Sequence, residues 1–250
     1  MLTGSTRSTG TLSNCTIANT AGISGPNGTV LSLNGSKLFI ANNGNGSLTR
    51  CDVDHDMGTL SNCVNTGVTG LNTPADLVLS QNGSRLFIAD SGNGSIRLCD
   101  VDGSTGGLSN CASAVATNFN IPIGLALDQD SNKLFIANNG NDTIASCNIN
   151  ISTGALSNCA DTGATGLSDP RDLVLNHNDS KLYVANNDDN VVTLCDVDGS
   201  TGRLSNCIDS GARGLSGPRG LTLNQDGSKM FIVNYDNNSV SSCNVDRSTG

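Results

Sequence analysis

Residues 36–54 read SKLFIANNGNGSLTRCDVD, and residues 180–198 read SKLYVANNDDNVVTLCDVD, a separation of 144 residues or three steps of 48. In the first copy, Lys37 to Ala41 (KLFIA) is a short apolar run with aromatic and β-branched members, the composition of a buried strand. The NNGNG that follows is turn chemistry, because Asn and Gly reach the positive φ angles that tight hairpins need. Ser47 to Val53 resumes as a strand carrying Cys51. Working outward, residues 28–33 (GTVLSL) alternate and reach the Asn34-Gly35-Ser36 turn, while residues 59–64 form a fourth extended segment carrying Cys63.

The same spacing runs through the chain. Cys15, Cys63, Cys111, Cys159 and Cys207 lie 48 residues apart, as do Cys51, Cys99, Cys147, Cys195 and Cys243, and as do Pro26, Pro74, Pro122, Pro170 and Pro218. Residues 11–250 are therefore five gapless units, and residues 1–10 form a leader or linker. Four antiparallel strands in each 48-residue unit predict an all-β fold, a single five-bladed β-propeller. Composition agrees: 33 Asn and 30 Gly favour turns, and all 22 acidic residues are Asp, with no Glu to promote long helices.

The array begins and ends inside a blade. Residues 11–17 (TLSNCTI) read as an outermost strand without inner partners, and the last unit stops after its third strand, Ser239 to Val245. The N-terminal strand is therefore expected to complete the last blade and close the ring, removing exposed sheet edges.

A three-residue turn Ser104-Thr105-Gly106 would align Gly103 with Gly107 and Asp102 with Leu108, which sets Cys99 opposite Cys111. By repetition the expected disulfides are Cys51–Cys63, Cys99–Cys111, Cys147–Cys159, Cys195–Cys207 and the ring-closing Cys15–Cys243. Ten Cys in fixed pairs point to an oxidising compartment, so the protein is expected to be extracytoplasmic: periplasmic, on the cell surface or secreted. Met1 to Gly10 has no apolar stretch of its own, which fits a signal peptide already removed.

The two stretches quoted first resemble the repeats of the YVTN and NHL-like family, β-propellers related in fold to lactonase-type and surface-layer propellers. The resemblance covers residues 11–250 and implies the propeller fold more than any one activity.

A net charge of −9 with only 13 Lys and Arg opposes a phosphate-tracking surface, so no nucleic-acid partner is expected. Nothing approaches 18 consecutive apolar residues, and no membrane insertion is expected. Without Glu, paired-Glu acid/base arrangements and HExxH metal sites are excluded, and His55 and His177 both fall in turns. The DVDGSTG stretches at Asp100 and Asp196 resemble the start of a calcium loop but lack its later Glu, and they recur where hairpins are needed. Ten Asn-x-Ser/Thr sequons, including Asn34, Asn82, Asn93 and Asn141, mostly coincide with turns.

One polar arrangement remains. If the first strand of each blade is innermost, Asn42, Asp90, Asn138, Asn186 and Asn234 end the second strands on one face, together with Asp76 and Asp172 two positions after a repeat proline. Such rings either hold Ca²⁺ at the tunnel mouth or hydrogen-bond the blades to one another. On the same face Asn27, Ala75, Ile123, Arg171 and Arg219 vary on a fixed frame, the pattern of a recognition surface. The expected function is therefore a monomeric, noncatalytic scaffold that binds proteins or glycans, with no cofactor beyond a possible Ca²⁺. The alternative is a lactonase-like hydrolase using a cation at the tunnel.

Overall fold

The computed structural model describes residues 22–114 and 119–246. Blade 1 contains β1 (Pro26–Leu31), β2 (Lys37–Asn42), β3 (Ser47–Val53) and β4 (Leu60–Asn65). Blade 2 contains β5 (Pro74–Leu79), β6 (Arg85–Asp90), β7 (Ser95–Val101) and β8 (Leu108–Ala114). Blade 3 contains β9 (Pro122–Leu127), β10 (Lys133–Asn138), β11 (Thr143–Ile149) and β12 (Leu156–Asp161). Blade 4 contains β13 (Pro170–Leu175), β14 (Lys181–Asn186), β15 (Val191–Val197) and β16 (Leu204–Asp209). Blade 5 contains β17 (Pro218–Leu223), β18 (Lys229–Asn234) and β19 (Ser239–Asn244). Each sheet is antiparallel with strands in chain order, and the five blades stand around one axis in a propeller arrangement, as expected.

A proline opens every innermost strand, where its missing N–H costs no ladder bond. The second strand is the centre of each sheet. Its alternate side chains face opposite neighbours, so Phe39 and Ala41 of blade 1 pack with Leu86, Ile88 and Cys99 of blade 2. The same junction recurs three times: Phe87, Ala89 and Ile96 against Leu134 and Ile136; Phe135, Ala137 and Ile144 against Leu182 and Val184; Tyr183, Ala185 and Val192 against Met230 and Ile232. The core thus lies between blades, and no blade buries its apolar faces alone.

The disulfides Cys51–Cys63, Cys99–Cys111, Cys147–Cys159 and Cys195–Cys207 are present, with Cα separations of 4.0–4.1 Å. The register beside them differs from expectation. Val101, not Asp102, pairs with Leu108, and the missing step is recovered by a bulge between Leu98 and Asp100. Asn110 supplies it at φ +50°, and Asn62, Asn158 and Asn206 do so in the other blades. The longer turn is held by Asp102, whose Oδ1 accepts from the Ser104 and Thr105 amides. The Ser104 hydroxyl, together with those amides, holds the Asp102 carboxyl well below the ordinary range, so this loop is turn chemistry.

Cys15, the partner expected for Cys243, lies outside the described residues, as do the closing strand 11–17 and the leader 1–10. Each hairpin disulfide joins residues 12 apart, a short loop whose closure is worth about 3 kcal/mol in the chain-entropy model. Replacing Cys99 and Cys111 together by Ser is expected to lower unfolding stability by about that amount, read as a shift in urea midpoint at unchanged slope. No described helix is long and apolar enough to cross a membrane.

Candidate functional site

The residues just after the repeat prolines converge. Asn27, Gly28, Ala75, Asp76, Ile123, Arg171, Asp172 and Arg219 line one cavity of about 150 Å³ at the innermost strands. Each proline is preceded by a residue at positive φ: Gly25, Thr73, Ile121, Asp169 and Gly217. Holding a β-branched Thr or Ile in that region is strained, and the ladder pairs that follow, Pro74 with Asp90 and Pro122 with Asn138, keep it in place.

Asp76 and Asp172 are half-buried at the cavity wall. Asp76 accepts the Leu77 amide at 2.8 Å through Oδ1 and the Leu125 amide of the next blade at 2.9 Å through Oδ2. Asp172 does the same for Leu173 at 2.8 Å and Leu221 at 2.7 Å. Each carboxyl therefore spans a junction between blades. In blades 1 and 3 the matching residue is Gly because the next blade comes too close: a Cβ on Gly28 would lie 2.5 Å from Asp76 Cα, and one on Gly124 would lie 2.6 Å from Arg171 O.

Burial is the main force on both carboxyls. It pushes Asp172 up to about 6 against the pull of its two amides. Asp76 rises further, to about 8, because the charge of Asp172 adds to burial. Both carboxyls are thus held above the ordinary carboxylate range, Asp76 the higher of the two, and they titrate as a pair.

Two guanidinium groups border the cavity. Arg171 binds Asp169 Oδ2 through Nε at 2.9 Å and Nη2 at 2.7 Å. Arg219 lies over the Tyr235 ring, 3.5 Å from its centroid, and its Nε donates to Asn187 Oδ1 at 3.1 Å.

The ring that ends the second strands is placed elsewhere. Asn42, Asp90, Asn138, Asn186 and Asn234 are all buried, and none lines this cavity. Their side-chain oxygens accept amides of the loop before the first strand, namely those of Ser24, Asn72, Asn120, Ser168 and Ser216. They pin loops, leaving Asp76 and Asp172 as the members of the expected set that meet at the cavity. Two carboxylates already engaged by four amides are a poor Ca²⁺ donor set, since that ion takes six to eight oxygens. Among the described residues no three His, Cys, Asp or Glu gather as metal ligands. His55 is exposed, and His177 is an exposed turn residue whose Nε2 lies 2.6 Å from Gln225 O.

A family model described as lactonase, 7-bladed β-propeller, matches residues 6–123 and 117–212. The chain belongs to this lactonase family. No curated protein sequence matches it. Among solved structures it superposes on a Lactobacillus plantarum protein with a TM-score of 0.73 and 20% identity, over 90% of this chain and 68% of that one. A periplasmic gluconolactonase from Pseudomonas aeruginosa gives a TM-score of 0.70 and 19% identity, over 90% and 67%. A gluconolactonase from Xanthomonas campestris gives 0.62 and 18%, over 84% and 69%. The chain thus spans about two thirds of the length of these structures.

Family membership overturns the noncatalytic protein- or glycan-binding scaffold expected from the sequence. That expectation rested on the missing Glu and the two solvated His, whereas the titrating groups here are aspartates whose behaviour arises from burial. The family shown is the lactonase one, coarser than the YVTN and NHL-like repeats of the resemblance.

Proposed function

We propose that the chain hydrolyses lactones of sugar acids at the cavity between Asp76, Asp172, Arg171 and Arg219, in an extracytoplasmic compartment. The observation that carries this reading is the convergence of two carboxyls held above their ordinary range and two arginines on one cavity in a member of the lactonase family. The four disulfides support the compartment.

Ring opening needs a base for water, charge stabilisation at the carbonyl oxygen, and an acid for the leaving alkoxide. Asp172 takes a proton from water as the hydroxyl oxygen bonds to the carbonyl carbon. Arg219 and Arg171 face the negative charge that develops on the carbonyl oxygen, and they face it again when the carboxylic acid product gives up its proton to solvent. When the ring C–O bond breaks, Asp76 delivers its proton to the leaving oxygen. The product is the open hydroxy acid, and proton transfer through solvent restores the pair.

The test is hydrolysis of glucono-lactone and its 6-phosphate, followed by proton release against the uncatalysed rate. The expected pH–rate profile is a bell. Activity rises as Asp172 ionises near pH 6 and falls as Asp76 loses its proton near pH 8, the two limbs belonging to the pair. A flat profile, or no rate above background, would defeat the assignment.

A further inference from the structure

Arg171 lines the cavity, and the residue that holds it, Asp169, does not. Asp169 stands just before the proline that opens β13, at φ +51°. The other blades have Gly25, Thr73, Ile121 and Gly217 at this position, all at positive φ. The backbone here has one recurring task, to accept the amide of the residue that follows the second strand. Asn43 donates to Gly25 O at 3.0 Å, Asn139 to Ile121 O at 3.1 Å, Asn187 to Asp169 O at 3.1 Å and Tyr235 to Gly217 O at 2.9 Å. Gly and Ile serve as well as Asp, so the frame of the blade does not require a carboxyl at this place.

The Asp169 carboxyl is engaged on both oxygens. Oδ2 accepts Nε and Nη2 of Arg171, at 2.9 and 2.7 Å. Oδ1 accepts from Asn139 Nδ2 of blade 3, and the Asp169 amide donates to Asp142 Oδ1 of the same blade at 2.8 Å. The acid is thus tied to the preceding blade on one side and grips the guanidinium on the other. Its side chain is 14% exposed and that of Arg171 26%, so solvent screens the pair less than it would on an open surface. Two donors on one carboxylate fix the direction of the planar guanidinium as well as its place. An acid before the proline and an arginine after it occur together in blade 4 alone; Arg219 has Gly217 in the corresponding position, and Asn187 receives its Nε.

We infer that Asp169 is a positioning residue, which holds the Arg171 guanidinium at the cavity wall. A guanidinium already fixed meets developing negative charge without reorganising, and that is what makes such a contact effective. What Arg171 does once held rests on the lactonase reading; the hold itself does not.

Asp169→Gly tests it, because two blades carry Gly at this position and the backbone bond from Asn187 is kept. The variant is expected to fold with unchanged far-UV circular dichroism and to lower kcat for glucono-lactone by about 10- to 100-fold with little change in KM. Asp169→Asn tolerates the positive φ and still offers Arg171 an oxygen, so it should recover part of the loss. Added to Arg171→Gln, Asp169→Gly should lower the rate no further, since a group that acts through another has no effect once that other is gone. A folded Asp169→Gly at the native rate overturns the inference, as do two losses that add in full. A second measurement needs no turnover. In NMR spectra of the arginine Nε–H groups, the Arg171 signal, identified by its absence from Arg171→Gln, should be resolved in the native chain and collapse among the solvent-exposed arginines in Asp169→Gly. An unmoved signal overturns the inference even if the native chain hydrolyses lactones. A native chain without lactone turnover defeats the lactonase reading, and the Arg171 signal then decides the role of Asp169 by itself.

Discussion

Asp172→Asn is expected to reduce lactone hydrolysis by about 10²–10⁴-fold in kcat with little change in KM, the range for loss of a general base. The reason lies in the burial and hydrogen bonds of the group. Desolvation raises the half-buried Asp172, yet its carboxyl is pushed up only to about 6 because the amides of Leu173 and Leu221 favour the charged form. Of the two it is the carboxyl held lower, which suits it to the role of base in the proposed reaction. An Asn keeps one acceptor oxygen but cannot take a proton, and it presents an amide donor to one of those N–H groups. Stability should fall by about 1–3 kcal/mol from that unsatisfied contact, so folding must be checked alongside activity. Asp76→Asn carries a different signature: loss of the alkaline limb of the profile, since Asp76 is the group pushed up to about 8. If Asp172→Asn folds and turns over at the native rate, the carboxyls only bridge blades and the chemistry lies elsewhere.

Phe87→Ala is expected to lower unfolding stability by about 3–5 kcal/mol, the cost of truncating a large side chain in a core that cannot collapse around the void. Phe87 is fully buried at the junction of blades 2 and 3, packed with Leu134 and Ile136. Phe231→Ala removes the same atoms from the equivalent position of blade 5, where the side chain is half-buried. Its cost should be clearly smaller in urea melts. Equal losses would mean that the blade 5 face is covered in solution even by the isolated chain.

Much of this fold is written locally. Alternating side chains, prolines at strand starts and Asn-Gly turns each act over a few residues, so strand order and blade count follow from reading one 48-residue unit. The four hairpin disulfides were legible for the same reason. The Asp102–Leu108 pairing was not, because where a bulge falls depends on how two strands accommodate each other, here through Asn110 at φ +50°. The rim of the cavity was visible in outline: Asn27, Ala75, Ile123, Arg171 and Arg219 stood out as varying positions after the prolines.

The chemistry of the carboxyls was not visible there. In the chain, Asp76, Asp172 and the second-strand set from Asn42 to Asn234 are all Asx residues near strand ends, and nothing local separates them. Folding does, by turning Asn42, Asp90, Asn138, Asn186 and Asn234 toward loop amides while Asp76 and Asp172 enter a shared cavity. The lack of Glu and of buried His then pointed away from an enzyme, because an ordinary Asp is a weak base at neutral pH.

By itself, the sequence determined an all-β propeller of five repeated blades, its four hairpin disulfides and the face on which varied residues gather. Those follow from periodicity and from contacts within one unit. Only the tertiary structure decided that two aspartates separated by 96 residues meet at one cavity, and that the last blade's Val233 and Val240 lie uncovered. Desolvation and charge repulsion depend on what surrounds a group in space, and burial of a blade face depends on whether another blade is there.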